Sequence, residues 1–225
     1  MSRETFTLAY DGPALQDGAM DVRDLAPSLM AIGQLLDAAN VNLNGETAHL
    51  RLQVTATGEG SFEISFELIQ NWATEVLKFF AAEEMSGAAN LLRLVLGVGT
   101  IGATCIVWLT KTLRGRSPDK VEKLSDSMMR ITFEGQSYDI PLELLRLYKD
   151  LAVRTAAQRL IEEPLRRDGI DLFEVRKGGV ILQSVTKSEA VYFARPMLPD
   201  ETLVDETRRS AFSIVALAFT HQSVI

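Results

Sequence analysis

The residues whose spacing could most directly do chemistry are Gly97-Val98-Gly99-Thr100-Ile101-Gly102, a G-x-G-x-x-G run behind Leu94-Val95-Leu96. On a strand–turn–helix such glycines allow a tight turn and bring a pyrophosphate against backbone N–H groups at a helix start. The run alone is a weak signal, and its surroundings oppose it. A second parallel strand ending in an acid should follow. Instead, Ser117 to Asp126 is charged, broken by Pro118, and apolar only at Val121 and Leu124. A nucleotide-binding enzyme is therefore the third of three readings.

Other catalytic constellations are poorly supplied. His49 and His221 are the two histidines, and neither has ligand spacing to Cys105, the single cysteine. A structural Cys/His zinc site needs four such ligands. No G-x-S-x-G elbow is present, and Cys105 lies among apolar residues, where a thiol behaves as a small hydrophobe. Acids cluster at Asp119/Glu122/Asp126 and at Asp200/Glu201/Asp205/Glu206. Either could attract a hard cation, but solvated surface charge explains both. The expectation is no catalytic residue, no metal and no cofactor.

The clearest physical feature is Leu94 to Thr110, seventeen residues without a charge between Arg93 and Lys111. As one helix it would span roughly 25 Å, close to the hydrocarbon thickness of a bilayer. Leu94, Val98, Ile101, Cys105 and Trp108 would form its apolar surface. Gly99 and Ala103 would let a second helix approach closely. Lys111, Arg114, Arg116 and Lys120 follow as a basic patch suited to an anionic membrane surface. That patch places the positive side after the segment, which would put the N-terminal part across the membrane. A re-entrant helix, or a buried helix in an oligomer core, avoids the conflict.

The flanking sequence supplies the elements that must hold this segment. Thr5 to Tyr10 reads as a strand. Asp24 is a candidate helix cap, and Leu25, Leu29, Ile32 and Leu36 mark one face of a helix to about Asn40. Ala48 to Ala56 and Phe62 to Leu68 alternate with period two around Gly58-Glu59-Gly60, an antiparallel hairpin. Trp72, Val76, Phe79 and Phe80 define an amphipathic helix within 71–84. Beyond Pro118, hairpins are expected at Met129–Ile140 and Phe173–Val185. Helices are expected after Pro141 and over about 151–163. A capping box at Thr186-Lys187-Ser188-Glu189 should open a short helix, and Ala211 to Phe219 reads as a last strand.

The fold class is therefore α+β. Two small antiparallel-sheet-plus-helix modules, 1–69 and 117–225, are joined by a helical segment, 70–116, with the apolar helix over 88–112. Net charge is −7, with 4 basic and 13 acidic residues in 1–87 against 6 and 2 in 88–123. That balance gives no strong nucleic-acid signal. With a lone cysteine and no apolar leader, the expected location is the cytoplasm or the cytoplasmic side of the inner membrane.

Several runs carry a resemblance. They are Tyr10-Asp11-Gly12, Met20 to Pro27, the hairpin Leu50 to Leu68 centred on Gly58 to Glu63, Leu109 to Arg116, and Gly169 to Arg176. Together they resemble a family of uncharacterised proteins from bacteria, prophages and phages. The resemblance implies a mobile-element or host–phage-conflict setting and brings no catalytic residues. It also implies a further β module after the last strand, relative to which this chain is shortened. The leading expectation is a non-enzymatic, membrane-associated homo-oligomer touching inner-membrane lipid. The second is a soluble oligomeric binding module whose apolar helices share a core.

Overall fold

The computed structural model describes residues 2–15, 19–58, 62–72, 87–99 and 104–195. The class is α+β, with helices packed around two antiparallel sheets.

The larger sheet has five strands: β1 (Ser2–Asp11), β2 (Ala48–Gly58), β3 (Phe62–Trp72), β7 (Leu172–Lys177) and β8 (Val180–Thr186). Their order is β2-β3-β1-β7-β8. Period-two alternation gives β1 and β3 one apolar face, and the register places Phe6 opposite Phe66 and Leu8 opposite Ile64. The rings of Phe6 and Phe66 stack with centroids 5.2 Å apart.

The strands are distributed differently from the two modules expected. β7 pairs antiparallel with the second edge of β1, Leu8 facing Val175 and Tyr10 facing Phe173. Strands from both halves thus share one sheet. The physical reason is that β1 carries backbone hydrogen-bonding groups on two edges, while the β2–β3 hairpin satisfies only one. Nothing in the local pattern of β7 specifies which edge it should seek.

The helix α1 (Val22–Asn44) covers the apolar face together with α2 (Gly87–Leu96). Its cap lies three residues before the expected one: the Asp21 side chain accepts a hydrogen bond from Arg23 N–H at 2.8 Å, so Pro27 lies inside the helix. Gly45, at φ 66°, ends it, because a left-handed residue without a Cβ closes a helix readily. At its C-terminal end Asn40 locks the helix to the sheet, donating to Ala48 O at 2.7 Å and accepting from Gln70 Nε2 at 3.0 Å.

The smaller sheet is β4 (Lys120–Lys123), β5 (Met128–Phe133) and β6 (Gln136–Pro141). The sequence pattern misses β4, whose residues are all exposed and mostly charged. Pro141 then opens α4 (Leu142–Lys149), and Asp150 caps α5 (Leu151–Ala157) by accepting from Ala152 and Val153 N–H. The chain continues through a π-helical turn, Gln158–Glu162, into one last α turn, Glu163–Leu165. The capping-box residues precede a 3-10 turn, Ala190–Phe193, with Glu189 accepting from Thr186 N–H at 2.9 Å. The expected amphipathic helix at 71–84 and the strand at 211–219 lie outside the described residues, apart from the end of β3.

Candidate functional site

The segment Leu94 to Thr110 is not one helix. α2 stops at Leu96, Gly97 follows at φ 74° and Gly99 at φ 122°, and α3 (Ile106–Thr112) starts after Cys105. Gly97 N–H closes the last turn of α2 on Arg93 O at 3.0 Å. The glycines that would have let two long helices approach act instead as a helix stop. Among the described residues no helix is long and apolar enough to cross a membrane. This corrects the transmembrane-helix expectation.

The residues assigned to that surface separate. Leu94, Val98 and Cys105 are buried at 0%, 3% and 0% exposure within the chain's own core. Trp108 is half-buried and packs edge-on against Tyr138, centroids 5.6 Å apart. Gly99 is exposed in the turn, and Ile101 and Ala103 lie outside the described residues. Cys105 has a structural role: its Sγ accepts from Trp108 N–H at 3.4 Å and caps α3, while burial pushes the thiol up to about 11.

The basic patch is likewise engaged within the chain. Lys111 Nζ donates to Ser184 O at 2.8 Å and pairs with Glu189 at 3.0 Å. Arg114 and Arg116 both reach Glu134, and Lys120 pairs with Glu122 at 2.9 Å. Arg116 also lies over the Phe133 ring, and Arg154 holds the turn below by donating to Gly115 O at 3.1 Å.

The nucleotide motif fares no better. Leu94 to Leu96 are helical, so no strand immediately precedes the glycines, and among the described residues every strand pair is antiparallel. His49 is exposed on β2, and His221 lies outside the described residues. Within the first acidic cluster, Asp119 accepts from Glu134 N–H at 2.8 Å and Asp126 pairs with Lys123 at 2.6 Å. Among the described residues no group of three or more His, Cys, Asp or Glu side chains could hold a metal ion. The second acidic cluster lies outside them.

Sequence reasoning missed a concave feature altogether. A groove of about 570 Å³ runs between α1 and α5, lined by Gln34, Ala38, Leu151, Ala152, Thr155, Ala156, Arg159 and Arg195. Alanines, Leu151 and the Thr155 methyl make its floor apolar. Arg159 lies within the π turn, and its Nη1 donates to Gln34 Oε1 at 3.2 Å. The Arg195 backbone N–H donates to Gln158 Oε1 at 3.3 Å, which brings residue 195 to the same end. No periodicity or motif announces this set, because its members come from three distant stretches of chain.

The π turn is itself held from below. Tyr10 Oη donates to Leu160 O at 2.7 Å, a carbonyl whose i+4 residue, Pro164, has no N–H to give. Glu162 is buried beside the Arg166 guanidinium and accepts from Gln158 Nε2 at 3.3 Å.

The chain matches no known protein-family model, no curated protein and no solved structure.

Proposed function

We propose that this chain is a non-enzymatic, self-associating binding module whose apolar segment serves its own core. One observation carries this reading: Leu94, Leu96, Val98, Cys105, Ile106 and Leu109 are all between 0% and 3% exposed within a single chain. At about 25 cal/mol per Å² of buried apolar surface, that burial already uses the segment's hydrophobicity. For these six residues the chain itself is the cover. The non-enzymatic part is supported by a thiol that burial keeps protonated and by the dispersal of the acids into ion pairs.

Self-association is supported by β8, at the sheet edge among the described residues. Its first residues, Val180 and Ile181, are 46% and 47% exposed. An edge strand with exposed apolar residues is a template for pairing with another strand. A mobile-element or host–phage setting rests on the sequence resemblance alone.

Fractionation without detergent tests the first part. Recovery in the supernatant after ultracentrifugation is expected. Recovery with membranes, released only by detergent, overturns the reading in favour of a membrane-associated homo-oligomer. Sedimentation velocity tests the second part: wild type is expected to self-associate and Ile181→Lys to be monomeric. A monomeric wild type removes self-association from the reading.

A further inference from the structure

We infer that the groove between α1 and α5 is a docking site for an acidic, amphipathic helical segment of a partner protein. This rests on the binding-module reading and gives its ligand a chemistry.

Three observations combine. The first is shape and polarity: an open groove of about 570 Å³ with an apolar floor and polar groups at one end. Such concavity with few placed polar groups is the usual form of a binding site. The second is its continuation along α1. Met30, Gln34, Ala38 and Val41 follow at helical spacing, and Met30 and Val41 are 66% and 54% exposed. From Met30 to Val41 is about 16 Å of helix at 1.5 Å per residue, or three turns. A small ligand would not need that length, whereas an apolar face repeating at i, i+3/i+4 and i+7 fills it.

The third observation is charge. Twelve of the chain's lysines and arginines are engaged in ion pairs with carboxylates among the described residues. Arg159 and Arg195, which line the groove, form none there. Arg159 has only the neutral Gln34 amide, and Glu163, one turn further on, does not pair with it. Two exposed guanidiniums lie beside the groove's apolar floor, while the exposed Asp37 sits further along the same face of α1, between Gln34 and Val41. Arginine forks match carboxylates in bidentate geometry, so the complementary segment carries Asp or Glu beside its apolar face.

The test uses a display library of random 14-residue peptides. It is selected on the full-length wild-type chain and counter-selected on the Arg159→Glu/Arg195→Glu double variant. Both side chains are exposed, so the variant should keep the wild-type circular dichroism spectrum and thermal transition. The expected result is enrichment of peptides with aliphatic residues at i, i+3/i+4 and i+7 plus at least one carboxylate. Synthetic versions should lose about tenfold in affinity to the double variant, the scale of two exposed ion pairs. They should also lose affinity to Met30→Glu and hold it to Arg51→Glu, an arginine-to-glutamate change on β2.

Enrichment of peptides without carboxylates, no enrichment, or equal binding to both chains overturns the proposal. So does dodecanoate binding that blocks the groove while no peptide does, since that would make it a small-molecule site. Self-association abolished by the double variant also overturns it, because the occupant would then be a second copy. These outcomes are separate from fractionation, which tests only whether the chain belongs in a membrane.

Discussion

Gly12 and Gly169 cross where the end of β1 meets the loop leading into β7, so closely that a Cβ on Gly12 would fall on the Gly169 carbonyl oxygen. Both have positive φ, 152° and 78°. Ala14 N–H donates to Gly169 O at 2.9 Å and Asp171 N–H to Asp11 O at 2.8 Å, so two backbones pack with no side chain between them. This contact sews the C-terminal hairpin onto the N-terminal strand. Gly12→Ala and Gly169→Ala should each cost on the order of 3 kcal/mol in urea denaturation, combining strain with collision. Gly33→Ala is the contrast. Gly33 sits inside α1 with open space around it, and alanine there should stabilise by roughly 0.5 to 1 kcal/mol. If all three alanines behave alike, the crossing is not what fixes these glycines.

Tyr10 should be a keystone of the π turn. Tyr10→Phe keeps the ring against Phe173 but leaves Leu160 O without its donor, and should cost about 1 to 3 kcal/mol. Burial also holds the Tyr10 phenol well above its ordinary 10.0. An unfolded tyrosine ionises near that value while the folded one does not, so stability is full below pH 10 and falls above it. Denaturation midpoints measured from pH 8 to 11.5 should show that fall, and Tyr10→Phe should shallow it. An unchanged slope in the variant would assign the alkaline loss elsewhere.

Cys105 should be inert in the folded chain. Its thiol is buried and pushed up to about 11 from 9.0. Native protein at pH 8 should therefore leave a disulfide reagent unconsumed until denaturant is added. Rapid labelling without denaturant would contradict its place as the cap of α3. The sign for stability follows: an unfolded thiol ionises from about pH 9, so stability is lost between pH 9 and 11.

Lys111 and Glu189 form a clip over the end of β8, one engaging Ser184 O and the other Thr186 N–H. Burial pushes the Glu189 carboxyl up, but the Thr186 N–H and Lys111 together bring it below its ordinary 4.5. A carboxylate depressed in the folded state contributes stability above its unfolded value, and that stability is lost as pH falls through the folded one. Stability should therefore decline below pH 4.5, and Glu189→Gln should flatten that decline. Lys111→Met should leave Ser184 O on an open edge and increase light scattering on heating, since uncapped edges invite pairing.

Gly97→Ala tests the break in the apolar segment. Its φ of 74° disfavours any side chain, and a Cβ would lie 2.8 Å from Gln183 Nε2 and 3.2 Å from Cys105 Sγ. The amide of Gln183 can swing aside, so the expected cost is about 1 to 2 kcal/mol, mostly conformational. A neutral or stabilising result would mean that α2 can run on past Leu96.

Local pattern by itself determined the α+β class, the β2–β3, β5–β6 and β7–β8 hairpins, and the helix start after Pro141. Period-two and helical spacing, with turn residues, act over a few residues and need no partner to be read. Composition also determined that Leu94 to Thr110 would avoid water. The tertiary structure breaks it at Gly97 and buries Leu94, Val98, Cys105, Ile106 and Leu109 in the chain's own core. A run of apolar residues specifies burial but not whether lipid, a second copy or its own chain supplies the cover. Only the tertiary structure placed β7 on the free edge of β1, since backbone hydrogen-bonding groups are the same at every residue. It alone assembled Gln34, Arg159 and Arg195 around one groove. Those residues come from α1, from the π turn and from the stretch after the last 3-10 turn, and no local spacing encodes their shared place.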